Sequence, residues 1–446
     1  MEQPTDAQMM LAAAITFGLA VGCQVIAPKL RLPALVLLLP AGFAFGALAP
    51  GLRADAILGE AFPVVVNLVV AVILFHGGTE LNYSPLKRAE HSVVRRLVWF
   101  GWIITAVTAS VTAYYILSLS MQIAVMLGAI VVVSGPTVVT PILQFARPNA
   151  RVKGILLWES NVLDPVGALF AVVIFQVIKA TDEPSIFDAS FLFVEGVLVG
   201  LLGAAIGIAL IFLGGRLVRG NSSLGTQVII GSVIVAAGFA NFLADDAGLL
   251  TALIMGFVAA RIALKRGESL ADAGPFFHTV VALSIGVLFV SIAALVPVEA
   301  VANAALPAIG LSVILIVIVR PLVVYLATRG SDLTRNERIF IGWMSPRGIV
   351  AAATASSVGA TLVSLSVPTA DKLLPAVFIV ISVTVAVYGL TAAPLARKLG
   401  LSAVDDEPDR GNGAQDEGHV GEDRLLHTTK DKNSQDSADE HDRQEG

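Results

Sequence analysis

The chain has 446 residues, 56% of them hydrophobic and 14% charged, with a formal net charge of −5. An apolar share this high with so few charges excludes a soluble globular domain and fits an all-α polytopic membrane protein. A single cysteine, Cys23, excludes an internal disulfide framework and a cysteine metal site, and no feature indicates a nucleic-acid role.

The N-terminus, Met1-Glu2-Gln3-Pro4-Thr5-Asp6, lacks the basic region of a secretory signal. A span needs about 20 apolar residues. Thirteen apolar segments are predicted to cross, near 8–27, 33–50, 61–79, 96–118, 121–145, 154–178, 190–215, 225–244, 247–264, 277–297, 304–328, 338–362 and 372–396. Of the alternate loops, one set holds 19 basic residues, from Lys29 and Arg31 to Arg397 and Lys398, whereas the other holds Arg53, Lys179 and Lys372. The positive-inside rule then puts the N-terminus outside the cell membrane and the C-terminus in the cytoplasm. Two regions are expected: a transmembrane domain over residues 1–400, and an acidic cytoplasmic tail over 401–446. The tail holds 14 Asp/Glu against 5 Lys/Arg and too few apolar residues to fold alone.

The fifth span carries Ser134-Gly135-Pro136-Thr137 and the twelfth Met344-Ser345-Pro346-Arg347-Gly348. Proline removes a backbone donor and clashes with the preceding turn, so each helix is predicted to break and free carbonyl groups near the midplane. The plain alternative is two ordinary proline kinks. Spans five and twelve are an odd number apart, so they cross in opposite directions, the pattern of inverted-repeat secondary transporters whose broken helices meet at the substrate.

Between them, the sixth span holds Glu159, Ser160 and Asp164. A charge at membrane depth costs about 2.5 to 3.5 kcal/mol on insertion scales, so such residues pair or line a polar path. At about 100° per residue, Ser160 and Asp164 share a face, where a hydroxyl and a carboxylate offer hard oxygen ligands to a small cation, with freed carbonyls near Ser134 completing its shell. Burial disfavours an uncompensated carboxylate, so such a group is driven to hold either a proton or a cation, and that competition couples two fluxes. Glu159 lies about 140° round the helix from Asp164 and is expected to pair with Arg347, an arginine well inside an interrupted span. The exchange reading requires Asp164 to lie at the broken helices and to be reachable from water, rather than to face lipid.

Phe75-His76-Gly77-Gly78, Ser134-Gly135-Pro136-Thr137, Glu159-Ser160 followed by Asp164-Pro165, Arg320-Pro321 and Pro346-Arg347-Gly348 together resemble the cation:proton antiporter family that includes NhaP-type sodium/proton antiporters and the eukaryotic sodium/proton exchangers. The resemblance covers about residues 8–398. It implies the inverted-repeat antiporter fold, two discontinuous helices crossing near the midplane, and a homodimer in which a six-helix transport unit moves against a dimerisation unit. It also implies Na+ or Li+ exchange for H+ with no cofactor. By position it makes Asp164 the cation- and proton-binding carboxylate, Ser160 a ligand, Ser134 or Thr137 the broken-helix contributor, and Glu159 with Arg347 the supporting ion pair. The sequence departs from the family where Leu163 replaces an asparagine before the aspartate and Gly135 stands where relatives often carry an acid. The electrogenic branch has paired aspartates at 163–164, so a single Asp164 is expected to give electroneutral exchange. Exchange of K+ for H+ on the same fold remains the alternative.

His76 and His278 are read as interfacial packing residues, and Arg320 as a snorkelling or structurally paired cation. Asp245-Asp246 and Glu195 are read as solvated or interfacial acids, and Gly200-Leu201-Leu202-Gly203 and Gly214-Gly215 suit close helix packing, as at a dimer interface. No hydrolase elbow or zinc-protease motif occurs, which argues against an intramembrane enzyme. A passive channel would not need one buried acid flanked by two broken helices.

Overall fold

The structure, a computed structural model, describes residues 5–402 except 31, 60, 82–85, 87, 180–185, 218–221, 246 and 266–273. Nearly all of the acidic tail lies outside the described residues, as do Arg31, Lys87, Arg219, Arg266 and Asp246 and the side chain of His278.

In chain order the helices are α1 (Asp6–Lys29), α2 (Leu35–Leu48), the short α3 (Ala54–Leu58), α4 (Ala61–Glu80), α5 (Arg88–Ile116), α6 (Met121–Val131), α7 (Pro136–Ala146), α8 (Ala150–Lys179) and α9 (Ile186–Leu217). They continue with α10 (Ser222–Leu243), α11 (Ala247–Lys265), α12 (Gly274–Ala294), α13 (Val298–Ile314), α14 (Arg320–Ala327), α15 (Arg335–Trp343), α16 (Ile349–Ser364) and α17 (Leu373–Lys398). Each of the thirteen apolar segments coincides with a helix or helix pair. Among the described residues eight helices are long and apolar enough to cross a membrane, nine if α6 and α7, bent by 45°, count as one span. Shorter apolar helices run over Leu35–Leu48, Ala247–Ala263, Thr279–Ala294 and Ile349–Ser364. Exposed apolar side chains such as Phe17, Val25, Phe191, Leu198, Leu213 and Phe242 give these helices surfaces suited to lipid or to another protein face.

Packing sorts the helices into two sets. One comprises α1, α2, α4 and α9 to α12; the other comprises α5, α6/α7, α8, α13/α14, α15/α16 and α17. The second set is two triplets of the predicted apolar segments, four to six and eleven to thirteen, and it holds both interrupted segments and the acidic one. Small residues bring helices together inside the first set. Gly200 and Gly203 of α9 sit against Leu250 and Thr251 of α11, and the Thr251 hydroxyl donates to the Gly200 carbonyl at 3.1 Å. Gly214 packs against Val228 of α10. Gly200, Gly203 and Gly214 are therefore used within the protomer, whereas Gly215 faces open space.

The N-terminal end of α8 is fastened by charge. Arg151 donates to Glu90 of α5 at 2.8 Å and reaches Glu337 of α15 at 3.7 Å, so the acidic span, the second interrupted span and α5 are tied at one end. Glu337 also closes a capping box with Thr334 that starts α15.

Candidate functional site

Both interruptions are true breaks. The first leaves Val132 to Gly135 outside regular helix and restarts at Pro136, where the missing N–H costs nothing because the first helical donors are unpaired anyway. The second spans Met344 to Gly348, with Met344 and Gly348 extended. Broken helices leave carbonyl and N–H groups without their intrahelical partners, and in a membrane those groups must be satisfied inside the protein.

The two breaks supply each other. The Ser134 hydroxyl donates to the Pro346 carbonyl at 3.1 Å, and the Arg347 guanidinium donates through Nη1 to the Val132 carbonyl at 3.1 Å. The arginine thus sits at the C-terminal end of α6, where a cation is favoured by the helix dipole. Gly135 and Gly348 pass in backbone contact: a Cβ on Gly348 would lie 2.8 Å from the Gly135 Cα and 2.9 Å from its N. Gly348→Ala is therefore expected to push the breaks apart at a cost of about 1 to 3 kcal/mol, the range for overpacking. The check is a lowered melting temperature of the purified protein together with slowed transport.

Asp164 lies against this crossing. A Cβ on Gly135 would be 3.2 Å from Asp164 Oδ1 and 3.1 Å from Thr137 Oγ1, so both oxygens surround the N-terminus of α7. The positive end of that helix offsets part of the cost of a carboxylate there. Asp164 is 0% exposed, and neither of its oxygens has a hydrogen-bond partner. Thr137 is also buried, with its hydroxyl unpartnered. Ser160 is buried one turn before Asp164, and its hydroxyl donates to the Leu157 carbonyl at 3.1 Å, leaving its lone pairs free to face a cation. Ser134 likewise gives away its proton and keeps its acceptor capacity. Carboxylate, hydroxyl and carbonyl oxygens of this kind suit a hard, small cation. Asp164 faces the fractured helices and not lipid, as the exchange reading requires, but it has no surface open to water, so the requirement that water reach it is not met in this conformation.

One expected pairing is corrected. Glu159 pairs with Arg320, not Arg347: Nη2 of Arg320 donates to Oε2 at 2.8 Å, and Nη1 is bonded to Oε1, a bidentate contact. Arg320 also donates through Nε to the Ile341 carbonyl near the end of α15. The cause is depth along α8. Glu159 lies five residues before Asp164, about 7.5 Å along the axis, below the crossing that holds Arg347. A π-helical turn at Leu315–Val319 precedes Arg320, which is 5% exposed and does not snorkel.

Asn161, which the sequence reading does not single out, is fully buried with its Oδ1 unpartnered. No periodicity marks it, because a single amide on an apolar helix carries no pattern. Two of the acids read as peripheral lie together elsewhere: Asp245 accepts a hydrogen bond from Gln176 at 3.3 Å, and Glu195 shares a cleft with both.

Against known families, residues 12–398 match the model described as sodium/hydrogen exchanger, transmembrane. The K(+)/H(+) antiporter NhaP of Alkalimonas amylolytica is 24% identical over 344 residues, 76% of this chain and 58% of that protein, so the chain spans under two thirds of that relative's length. The Na(+)/H(+) antiporter 1 of Methanocaldococcus jannaschii is 26% identical over 377 residues, covering 79% of this chain and 84% of that one. The structure of the sodium proton antiporter MjNhaP1 from Methanocaldococcus jannaschii at pH 8 superposes with a TM-score of 0.74 at 22% identity, over 88% of this chain and 99% of that chain. That likeness establishes a shared fold.

Proposed function

The chain belongs to the sodium/hydrogen exchanger family, and from that premise we propose that it exchanges Na+, and also Li+, for H+ by competition at Asp164. It is a multi-pass membrane protein, a cation/proton antiporter and not an enzyme. The observation that carries the finer reading is a fully enclosed carboxylate, without a hydrogen-bond partner, lying where two broken helices cross. An unpaired charge in such surroundings is expensive to move through a low-dielectric interior. Binding a proton or a cation removes that penalty, so the loaded forms cross and the empty form stays.

The charges around the crossing fit one-for-one exchange. Glu159 is already paired with Arg320, so Asp164 offers one uncompensated negative charge. A proton or a monovalent cation each cancels that one charge. The two loaded forms are then electrically equivalent, which supports electroneutral exchange. Ser160, Ser134 and Thr137 supply further oxygens. Because Asp164 is sealed in this conformation, exchange requires openings to either side, and the two helix sets would move along the contacts of α8 with α9 and α11, of α17 with α2, and of α16 with α4 and α12. The protein would act as a homodimer in the cell membrane, with its N-terminus outside and the acidic tail in the cytoplasm.

The test is reconstitution in vesicles with an internal pH dye. With an imposed proton gradient, Na+ and Li+ are expected to collapse it and K+ to act weakly. Collapse by K+ in preference to Na+ would make this a potassium/proton exchanger of the same fold. Transport currents that scale with an imposed potential would overturn electroneutrality.

A further inference from the structure

Asn161 is buried at the site and its side-chain carbonyl is unused by the exchange scheme above. Its Nδ2 donates to the Leu157 carbonyl at 2.8 Å, the same carbonyl that accepts from Ser160 at 3.1 Å. That bond fixes which end of the amide is which and turns Oδ1 away, where it has no partner. The carbonyl projects towards α4: a Cβ on Gly77 would run into Asn161 Oδ1, and would lie 3.5 Å from Cγ of Pro136, the first residue of α7. The oxygen occupies room that exists because residue 77 has no side chain. It faces the junction of α4, α7 and α8, beside the crossing where Asp164 and Thr137 also hold unpartnered oxygens.

A buried carbonyl without a donor costs free energy, and natural proteins seldom leave one unexplained. Asn161 precedes Asp164 by three residues, about 60° round α8 and 4.5 Å along its axis. We infer that the amide carbonyl of Asn161 is a further cation ligand, oriented by Leu157 and given its space by Gly77, and that it helps set which monovalent cation the site accepts. With one carboxylate, three hydroxyls and a neutral amide oxygen, the shell carries a single negative charge. That suits a monovalent cation, and it supplies a neutral oxygen in a site whose first break carries glycine at 135. The inference rests on Asp164 being the exchange site.

The experiment compares Asn161→Leu, which keeps the branching and the number of heavy atoms and deletes the carbonyl, with the parent chain. The KM and maximal rate for Na+, Li+ and K+ are measured in proteoliposomes, and the melting temperature of the purified protein is measured with and without each cation. The KM for the transported cation is expected to rise about ten-fold, in keeping with the loss of one oxygen contact to a charged group. The maximal rate should fall less than that, the order of preference among the three cations should change, and the melting temperature without cation should hold or rise. Gly77→Ala, which crowds the amide off its position, should raise KM in the same direction. An unchanged KM with unchanged preference would overturn the inference. So would a loss confined to maximal rate with a lower cation-free melting temperature, which is the mark of a packing role. Should Asn161→Leu not be recovered folded, the same series on Asn161→Ser decides the matter, since its shorter hydroxyl withdraws the oxygen from Gly77. Asp164→Asn separates the two levels: if that variant still exchanges, the Asp164 scheme fails regardless of Asn161. If it is inert while Asn161→Leu keeps the parent KM and preference, only the present inference falls.

Discussion

Asp164→Asn is expected to bring cation-driven proton movement down to that of protein-free vesicles while leaving the protein folded. The substitution is nearly isosteric, so the packing against Gly135 is kept. What disappears is the ability to carry a negative charge, and with it both halves of the competition. An amide neither takes up a proton near neutral pH nor balances a cation, so neither loaded form is made. The folded state loses nothing that the structure records, because neither Asp164 oxygen is hydrogen-bonded. Removing an unpaired buried charge is neutral to stabilising. Two measurements together are therefore decisive. Exchange should vanish, and the melting temperature without cation should stay at or above that of the parent. In the parent, saturating Na+ or Li+ at about 100 times its dissociation constant should add about 2.7 kcal/mol of stability, and in Asp164→Asn that gain should be absent. Normal exchange by the variant would refute the site. Asp164→Glu is a useful companion, since it keeps the charge but inserts a methylene into an enclosed space, at about 1 to 3 kcal/mol.

The parts of this site that the sequence made legible are those written in backbone chemistry and in charge. A proline close to a glycine, Gly135-Pro136 and Pro346-Arg347-Gly348, marks each break, because a lost donor beside a residue without a side chain favours an interruption over a kink. A carboxylate in the next span is conspicuous because it is costly there. Arg320 was legible only as a cation that snorkels or pairs structurally, and the pairing is what the structure shows. Its position near one end of a long apolar segment is what a snorkelling side chain would show, and nothing in the sequence announces the π-helical turn at Leu315–Val319 ahead of it or its bond to the Ile341 carbonyl. The expected Glu159–Arg347 pair failed for a related reason. Sequence spacing gives the angle of Glu159 around α8, but which arginine stands at its depth depends on how far the second break reaches. Arg347 is instead held by the Val132 carbonyl that the first break sets free. Asn161 is legible only once the space at Gly77 is seen.

The corrected pair carries the second large effect, and it falls on stability. Glu159 and Arg320 are 4% and 5% exposed and joined by a bidentate contact. Removing one partner of such a pair leaves an uncompensated buried charge, at about 3 to 5 kcal/mol. Glu159→Gln should therefore strand the guanidinium, and Arg320→Met should strand the carboxylate. Each is expected to lower folded yield and melting temperature sharply. The double variant, Glu159→Gln with Arg320→Met, removes both charges, so most of the single losses should return. The resulting coupling energy, about 3 kcal/mol or more, is read from a double-mutant cycle on the purified protein. Arg320→Lys should rescue only part, because a lysine ammonium lacks the planar fork that engages both carboxylate oxygens. Additive losses in the cycle would mean that the two residues act separately. Recovery of folding in the double variant is not expected to restore full exchange. Arg320 also grips the carbonyl of Ile341 near the end of α15, so without it the second break loses a fixed point relative to Asp164. Stability and transport should thus part company in the double variant, and that divergence identifies the pair as the scaffold that holds α8, α14 and α15 in register around the cation site.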